Sequence, residues 1–271
     1  MAYKLGFIGA GNMAQAIFRR LLQTGTVAPQ DLYISDVLPE LTASLAGELG
    51  LGVAPGNRSL AEIADVVVLA VKPVFCRDVL ADIRDALGEK PLLSIVSGWT
   101  LPMLQAALQP GVRLLCVMPN TPAMVGEGMT LLGTPHTLDG ADFARARALF
   151  EAVGTVAVVE DRLFAAAGCI SGCGPAFIYQ CVEAMGDAGV LHGLPRTLAY
   201  QLAAQTVLGA GKMALQSGSH PAALKDAVCS PGGTTIRGIY AMEKAGVRAA
   251  LMDAVSAAYE KTTAVEKQLK D

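Results

Sequence analysis

The sequence predicts an α/β, doubly wound N-terminal domain over residues 1–160, followed by an all-α C-terminal domain over 161–271. Three observations carry this. Short apolar runs alternate with helix-like segments up to Val159, as in a parallel sheet covered by helices. The first run leads into a glycine-rich turn and then a helix. Beyond Glu160 the β-branched runs cease and long Ala/Leu/Met-rich segments take over.

Strands are expected at Lys4–Ile8, Leu32–Ser35, Val66–Val71, Leu92–Val96, Leu114–Met118, Met129–Leu132 and Val156–Val159. Asn12–Thr24 places Met13, Ile17, Leu21 and Leu22 at helical spacing, which completes a βα unit. Leu38–Gly50 and Val74–Leu87 are two more helices between consecutive strands. In the C-terminal part, helices are expected at Pro175–Leu191, Pro195–Gln216, Pro221–Val228 and Thr234–Leu269, the last broken near Gly246. Pro175, Pro195 and Pro221 suit first helical turns, where a missing N–H costs nothing. Glu260–Asp271 is charged and is expected to fray.

Composition narrows the function. Lys+Arg 21 against Asp+Glu 24 leaves a net charge of −3, so there is no sequence-wide cationic field for nucleic acid. Hydrophobic residues reach 52% and charged ones 17%, which raises the question of a membrane. Pro91–Val112 and Leu163–Val182, both uncharged, are interrupted by prolines and glycines, so neither reads as a continuous lipid-facing helix. Met1–Lys4 runs straight into the first strand without a signal-peptide pattern, and a cytoplasmic protein is expected. The six cysteines include no CxxC pair and the three histidines are dispersed, so no metal is expected. Cys169 and Cys173, four apart, read as small buried thiols able to face one another on a helix. Abundant Ala and Gly with 5% aromatics imply closely approaching helices whose apolar surface can be shared with another copy of the chain.

The first motif is Gly9-Ala10-Gly11-Asn12-Met13-Ala14, between a strand and a helix. Gly9 permits the tight turn, Gly11 admits a pyrophosphate, and Ala14 lets the helix pack closely on the strand. This reads as a Rossmann-like dinucleotide site, with a merely structural glycine turn as the alternative. Asp36, at the end of the second strand, suits the adenine ribose hydroxyls and repels a 2′-phosphate, which leans the cofactor toward NADH; it can equally cap the next helix. Arg58 is placed to meet a 2′-phosphate instead. Ala70-Val71-Lys72-Pro73 ends the third strand, on the side where open α/β sheets bind ligands. Met118-Pro119-Asn120-Thr121-Pro122-Ala123 forms a rigid loop able to present the Asn120 amide and the Pro119 carbonyl. A purely structural turn reads as well.

In the helical part, Ser171-Gly172-Cys173-Gly174-Pro175-Ala176 reads as a close helix contact or a ligand contact. Cys229-Ser230-Pro231-Gly232-Gly233-Thr234-Thr235 converges hydroxyls and backbone N–H groups on a helix start, a nest for a carboxylate. A helix cap by Ser230 or Thr234 is the competing reading.

These residues resemble the pyrroline-5-carboxylate reductase family over essentially the whole chain. The resemblance rests on GFIGAGNMA (6–14), AVKP (70–73), MPNTPA (118–123), SGCGPA (171–176), HGLPR (192–196) and SPGGTT (230–235). It implies a Rossmann domain and a helical dimerisation domain, with dimers often built into rings, and reduction of a cyclic imine to proline by NADPH or NADH. By the resemblance, Gly9, Ala10, Gly11, Asn12 and Met13 hold the pyrophosphate. Asp36 and Asn57 lie near the adenine ribose, and Ala70, Val71, Lys72 and Pro73 line the nicotinamide side. The substrate carboxylate rests on Ser230 and the backbone of Gly233, Thr234 and Thr235, with the Thr235 hydroxyl beside the ring nitrogen. Ser230 and Thr235 are therefore the candidate catalytic pair. An iminium already carries its proton, so no histidine or buried carboxylate is needed as an acid.

The chain also departs from the family. Ala165–Gly168 replace a more polar run, Cys173 replaces a serine, and Trp99 stands where a small aliphatic residue is usual. By the resemblance, Asp161 falls near where the family places an acidic residue close to the substrate amine, which makes it a candidate for sensing the iminium charge. Two other readings stay open: a β-hydroxyacid dehydrogenase using Lys212, and a nucleotide sensor without turnover. Lys212 reads equally as a snorkelling surface lysine, and a sensor has no use for a second anion site.

Overall fold

The computed structural model describes residues 3–270. By contacts the chain divides into two compact units, one running to Gly172 and resuming at Tyr259, the other spanning Cys173–Ala258.

The first unit is built on eight strands: β1 (Leu5–Ile8), β2 (Leu32–Ser35), β3 (Gly52–Val53), β4 (Val66–Leu69), β5 (Pro91–Ser94), β6 (Arg113–Met118), β7 (Gly128–Thr134) and β8 (Gly154–Glu160). Their order is β3-β2-β1-β4-β5-β6-β7-β8. The helices between them are α1 (Asn12–Gln23), α2 (Pro39–Leu49), α3 (Asn57–Ile63), α4 (Cys76–Leu87), α5 (Leu101–Ala107) and α6 (Gly140–Glu151), with α7 (Asp161–Ser171) following β8. The chain reverses direction across the sheet at β1, which pairs with β2 through Ile8↔Ser35 and with β4 through Ile8↔Leu69. Ligand sites of open α/β sheets lie at such a reversal.

Both faces of the sheet are covered, which is why β4 reads as an unbroken apolar run. Val66 and Val68 join one core with Leu5, Phe7, Ile17, Phe18 and Leu21. Val67 and Leu69 join the other with Ile8, Leu60, Leu80, Ile83 and Trp99. Phe7 meets Phe18 edge-on, 5.6 Å between centroids, fixing α1 on the sheet. Each large apolar side chain so buried stabilises by about 1.5–3 kcal/mol.

Five elements are absent from the sequence reading: β3, α3, α5, α6 and α7. β3 has two residues, and α3 and α5 have seven each, too few to show a period. Gly6 nevertheless anticipates α3, since a β-carbon there would lie 2.6 Å from the Leu60 side chain. The strand expected at Met129–Leu132 forms as β7, but antiparallel to β6. Residues 119–127 are shorter than the roughly dozen residues a parallel crossover needs.

The second unit contains α8 (Gly174–Leu191), α9 (Arg196–Gln216), α10 (Pro221–Ala227), α11 (Thr234–Lys244) and the first part of α12 (Val247–Lys270). Gly186 and Gly189 let α8 and α9 approach closely: β-carbons there would meet the Tyr200 ring at 2.8 Å and the Ala199 side chain at 3.0 Å. Pro175 and Pro221 occupy first turns as expected, whereas Pro195 is the residue before α9 begins. The break near Gly246 separates α11 from α12, with Gly246 at φ +73°.

Two expectations are corrected. The C-terminal helix stays ordered to Lys270, because Leu269 packs on the α4–α5 core and its carbonyl accepts from Arg77 at 3.4 Å. Asp271 lies outside the described residues. Cys169 and Cys173 do not share a helix; Cys169 is buried on α7 beside Thr262, and Cys173 precedes α8. Among the described residues, Asp161–Leu191 is apolar and long enough to cross a membrane by length and composition alone, with a break between α7 and α8 at Gly172–Cys173.

Candidate active site

The glycine turn sits at the sheet reversal. Gly9 has φ +95°, donates to Ser35 O at 2.8 Å, and lies so close to the next crossover that a β-carbon would stand 2.5 Å from Ala70 O. Gly11 is the residue before α1, in extended conformation, and no side chain caps the helix. A β-carbon on Gly11 would meet no protein atom within 4 Å. The leading N–H groups of α1, from Asn12 and Met13, therefore face a space kept clear by the missing side chain. Ala14 is buried, as close helix packing requires.

Asp36 does not cap α2, whose preceding residue is Leu38 and which has no side-chain cap. Its Oδ2 accepts from Ala10 N at 2.7 Å and its Oδ1 from Leu38 N at 3.1 Å. The carboxylate thus ties the end of β2 to the glycine turn. Asn57 opens α3, and its Oδ1 accepts from Ser35 Oγ at 2.9 Å, which ties the end of β2 to the start of α3. Arg58 is exposed and pairs with Glu62 at 3.7 Å on its own helix.

Ala70 continues β4 by donating to Ile8 O at 2.8 Å, and Lys72 is exposed at the start of a short 3₁₀ turn over Pro73–Phe75. The carbonyl of Pro73 accepts from Trp99 Nε1 at 3.2 Å. Asn120, expected to present its amide to a cofactor, is instead turned inward: its Nδ2 donates to Ser171 O at 2.9 Å and its Oδ1 accepts from Met129 N at 2.9 Å. It is 6% exposed and joins the β6–β7 connection to α7. The prolines on either side hold the loop, and a free amide tip is spent on closing it.

Beyond the ends of β5 and β6 lies a cleft of about 200 Å³, lined among others by Trp99, Cys116, Asp161, Tyr259, Thr262 and Glu266. Asp161 enters it from the first turn of α7. Burial pushes the Cys116 thiol up to about 12, and the Asp161 charge adds to that shift. The sequence reading missed Ser35, Trp99's bond to Pro73 and the contribution of the last helix, since nothing local marks any of them.

In the helical unit, Ser230–Gly233 is a tight turn closed by Gly233 N donating to Ser230 O at 3.0 Å. Pro231 and Gly232, at φ +71°, hold the positions that a type II turn assigns to them. Gly233 precedes α11, and neither Ser230 nor Thr234 caps it. Ser230, Thr234 and Thr235 are exposed, so this uncapped helix start is open to solvent. Lys212 lies exposed on α9.

The cleared space at Gly11, the uncapped α1 and the forced approach of Gly9 to Ala70 fit a dinucleotide, and the fold and site define an oxidoreductase of the Rossmann type with an appended helical domain. Residues 161–265 match the family model described as pyrroline-5-carboxylate reductase dimerisation, and residues 4–98 match that of NADP oxidoreductase, coenzyme F420-dependent. A pyrroline-5-carboxylate reductase of Methanosarcina acetivorans is 42% identical over 98% of both chains. That of Escherichia coli is 40% identical over 98% of this chain and all of its own. The crystal structure of the Plasmodium falciparum pyrroline carboxylate reductase with NADP bound superposes with a TM-score of 0.90 at 33% identity, covering 97% of this chain and 98% of that one. The chain belongs to the pyrroline-5-carboxylate reductase family.

Proposed function

We propose that this protein reduces the C=N bond of 1-pyrroline-5-carboxylate to L-proline with NADH or NADPH, the last step of proline biosynthesis. The observation that carries the substrate is the uncapped α11 start behind the Ser230–Gly233 turn, whose leading N–H groups suit a carboxylate. Family membership supports the same reading.

When bound, a reduced nicotinamide supplies the hydride for the C=N carbon. Gly9 to Met13 hold its pyrophosphate, Asp36 and Asn57 its adenine ribose, and Ala70 to Pro73 its nicotinamide side; Asn120 holds the adjoining loop rather than the cofactor. Ser230 and the N–H groups of Gly233, Thr234 and Thr235 bind the substrate carboxylate. The Thr235 hydroxyl accepts the iminium N–H and keeps that proton on the ring nitrogen, which becomes the secondary amine. Asp161 favours the cationic form of the substrate. Positioning supplies most of the rate.

Self-association runs through the helical domain, whose Leu191, Leu215, Tyr240 and Met252 are each more than two-thirds exposed in the single chain. Rings of dimers and a cytoplasmic location belong to the same reading.

The test mixes purified protein with pyrroline-5-carboxylate and NADH or NADPH, following loss of reduced-nicotinamide absorbance and formation of proline. Thr235→Ala is expected to lower turnover about a hundredfold while cofactor affinity stays within about twofold. Unchanged turnover in that variant removes the role given to Thr235, and no proline with either cofactor removes the substrate.

A further inference from the structure

Trp99 is the only tryptophan in the chain. Its indole is 6% exposed and sits in the core with Ile8, Leu69, Cys76 and Leu101. Its N–H leaves that core to reach the carbonyl of Pro73 at 3.2 Å. The same carbonyl accepts from Cys76 N, closing the 3₁₀ turn, so Trp99 adds a second bond from a different crossover. The two loops follow β4 and β5, neighbouring parallel strands, at the end of the sheet where ligands bind.

The Trp99 end of this strut is fixed as well. Gly98 has φ +78°, and a β-carbon there would lie 3.1 Å from the Leu269 side chain, so the last turns of α12 brace the loop from behind. Cys116 Sγ donates to the Trp99 carbonyl at 3.7 Å. Ala70–Pro73 is held at its start by the Ala70–Ile8 bond and at its end by Trp99. Lys72 between them is exposed. Trp99 also lines the 200 Å³ cleft beyond β5 and β6 and a second one of about 600 Å³ beside α4 and α5.

We infer that Trp99 is a positioning residue for the cofactor: through Pro73 it sets the backbone of Ala70–Pro73 against the nicotinamide half of the dinucleotide, leaving the adenine half to Asp36 and Asn57. This rests on the reading of Ala70–Pro73 given above. Because the chain has one tryptophan, replacing it by 3-benzothienylalanine, which keeps the ring and substitutes sulfur for N–H, changes position 99 alone.

The experiment measures dissociation constants of the full-length protein for NADH, NADPH and ADP-ribose by fluorescence and calorimetry, in the parent, the benzothienylalanine protein and Trp99→Phe. The expected result is weaker binding of both reduced cofactors by about 2- to 12-fold, the range that one neutral hydrogen bond supplies. ADP-ribose, which lacks the nicotinamide, is expected to bind as to the parent. Equal weakening of ADP-ribose and NADH, or unaltered NADH affinity in the benzothienylalanine protein, overturns the inference. A parent that binds NADH yet forms no proline defeats the proposed substrate and leaves this comparison intact, since it is read from binding.

Discussion

The carboxylate of Asp36 accepts the Ala10 N–H at 2.7 Å, so the residue that faces the expected ribose also holds the glycine turn in place. These two duties separate by substitution. Asp36→Asn keeps an acceptor for Ala10 and removes the charge, and is expected to raise the NADPH-to-NADH ratio of kcat/KM about tenfold by relieving repulsion of the 2′-phosphate. Asp36→Ala loses both, and both cofactors are expected to bind more weakly. Steady-state kinetics with the two cofactors read this directly; an unmoved ratio in Asp36→Asn leaves only the structural duty.

The two glycines of the turn are expected to respond oppositely to alanine. Gly9→Ala forces a β-carbon to 2.5 Å from Ala70 O at φ +95°, costing about 3 kcal/mol of folding stability in urea unfolding. Gly11→Ala meets open space at φ −69° and is expected to cost less than about 1 kcal/mol, yet to lose most cofactor affinity. Full affinity in a folded Gly11→Ala protein removes the pyrophosphate from that space.

Asn120→Leu strands the Ser171 carbonyl and the Met129 N–H inside the protein. Stability is expected to fall by about 2–4 kcal/mol. Cofactor affinity of the folded fraction, measured below the unfolding transition, is expected to stay at the parent value. A specific loss of affinity with little loss of stability restores Asn120 as a ligand.

Burial pushes the thiols of Cys76 and Cys116 up to about 12, with Asp161 adding to the shift at Cys116. The folded state therefore prefers the protonated thiols. Their contribution to stability is complete below the unfolded thiol pKa, near 8.5, and is lost as pH rises from there toward about 12. Each thiol steepens the loss by at most about 1.4 kcal/mol per pH unit. Urea unfolding between about pH 8 and pH 10.5 is expected to show a shallower slope in the Cys76→Ala, Cys116→Ala double variant than in the parent.

Local patterns were enough to locate the strand–turn–helix at Leu5–Gln23, the strand at Leu32–Ser35 and the long helices from α8 onward, because each carries its own period or its own glycine. Ser230–Thr235 was legible for the same reason: a Pro-Gly turn before a helix is a local event. Several elements escaped, the shortest of them for want of a period. α3 and α5 hold their seven residues in place by burying Leu60 and Leu104, and a period cannot be read from two turns.

What the sequence by itself determined was the family, the glycine turn at Gly9–Gly11 and the Ser230–Gly233 turn before a helix, since these rest on residues adjacent along the chain. Tertiary structure alone decided what Asp36, Asn120 and Trp99 do. Each has one polar group that several partners can satisfy, and the choice among Ala10, Ser171 and Pro73 depends on which distant backbone the folded sheet brings within 3.2 Å. Hydrogen-bond partners separated by 26 to 51 residues leave no trace in local spacing, because burial of the whole sheet, not the neighbouring sequence, sets their distance.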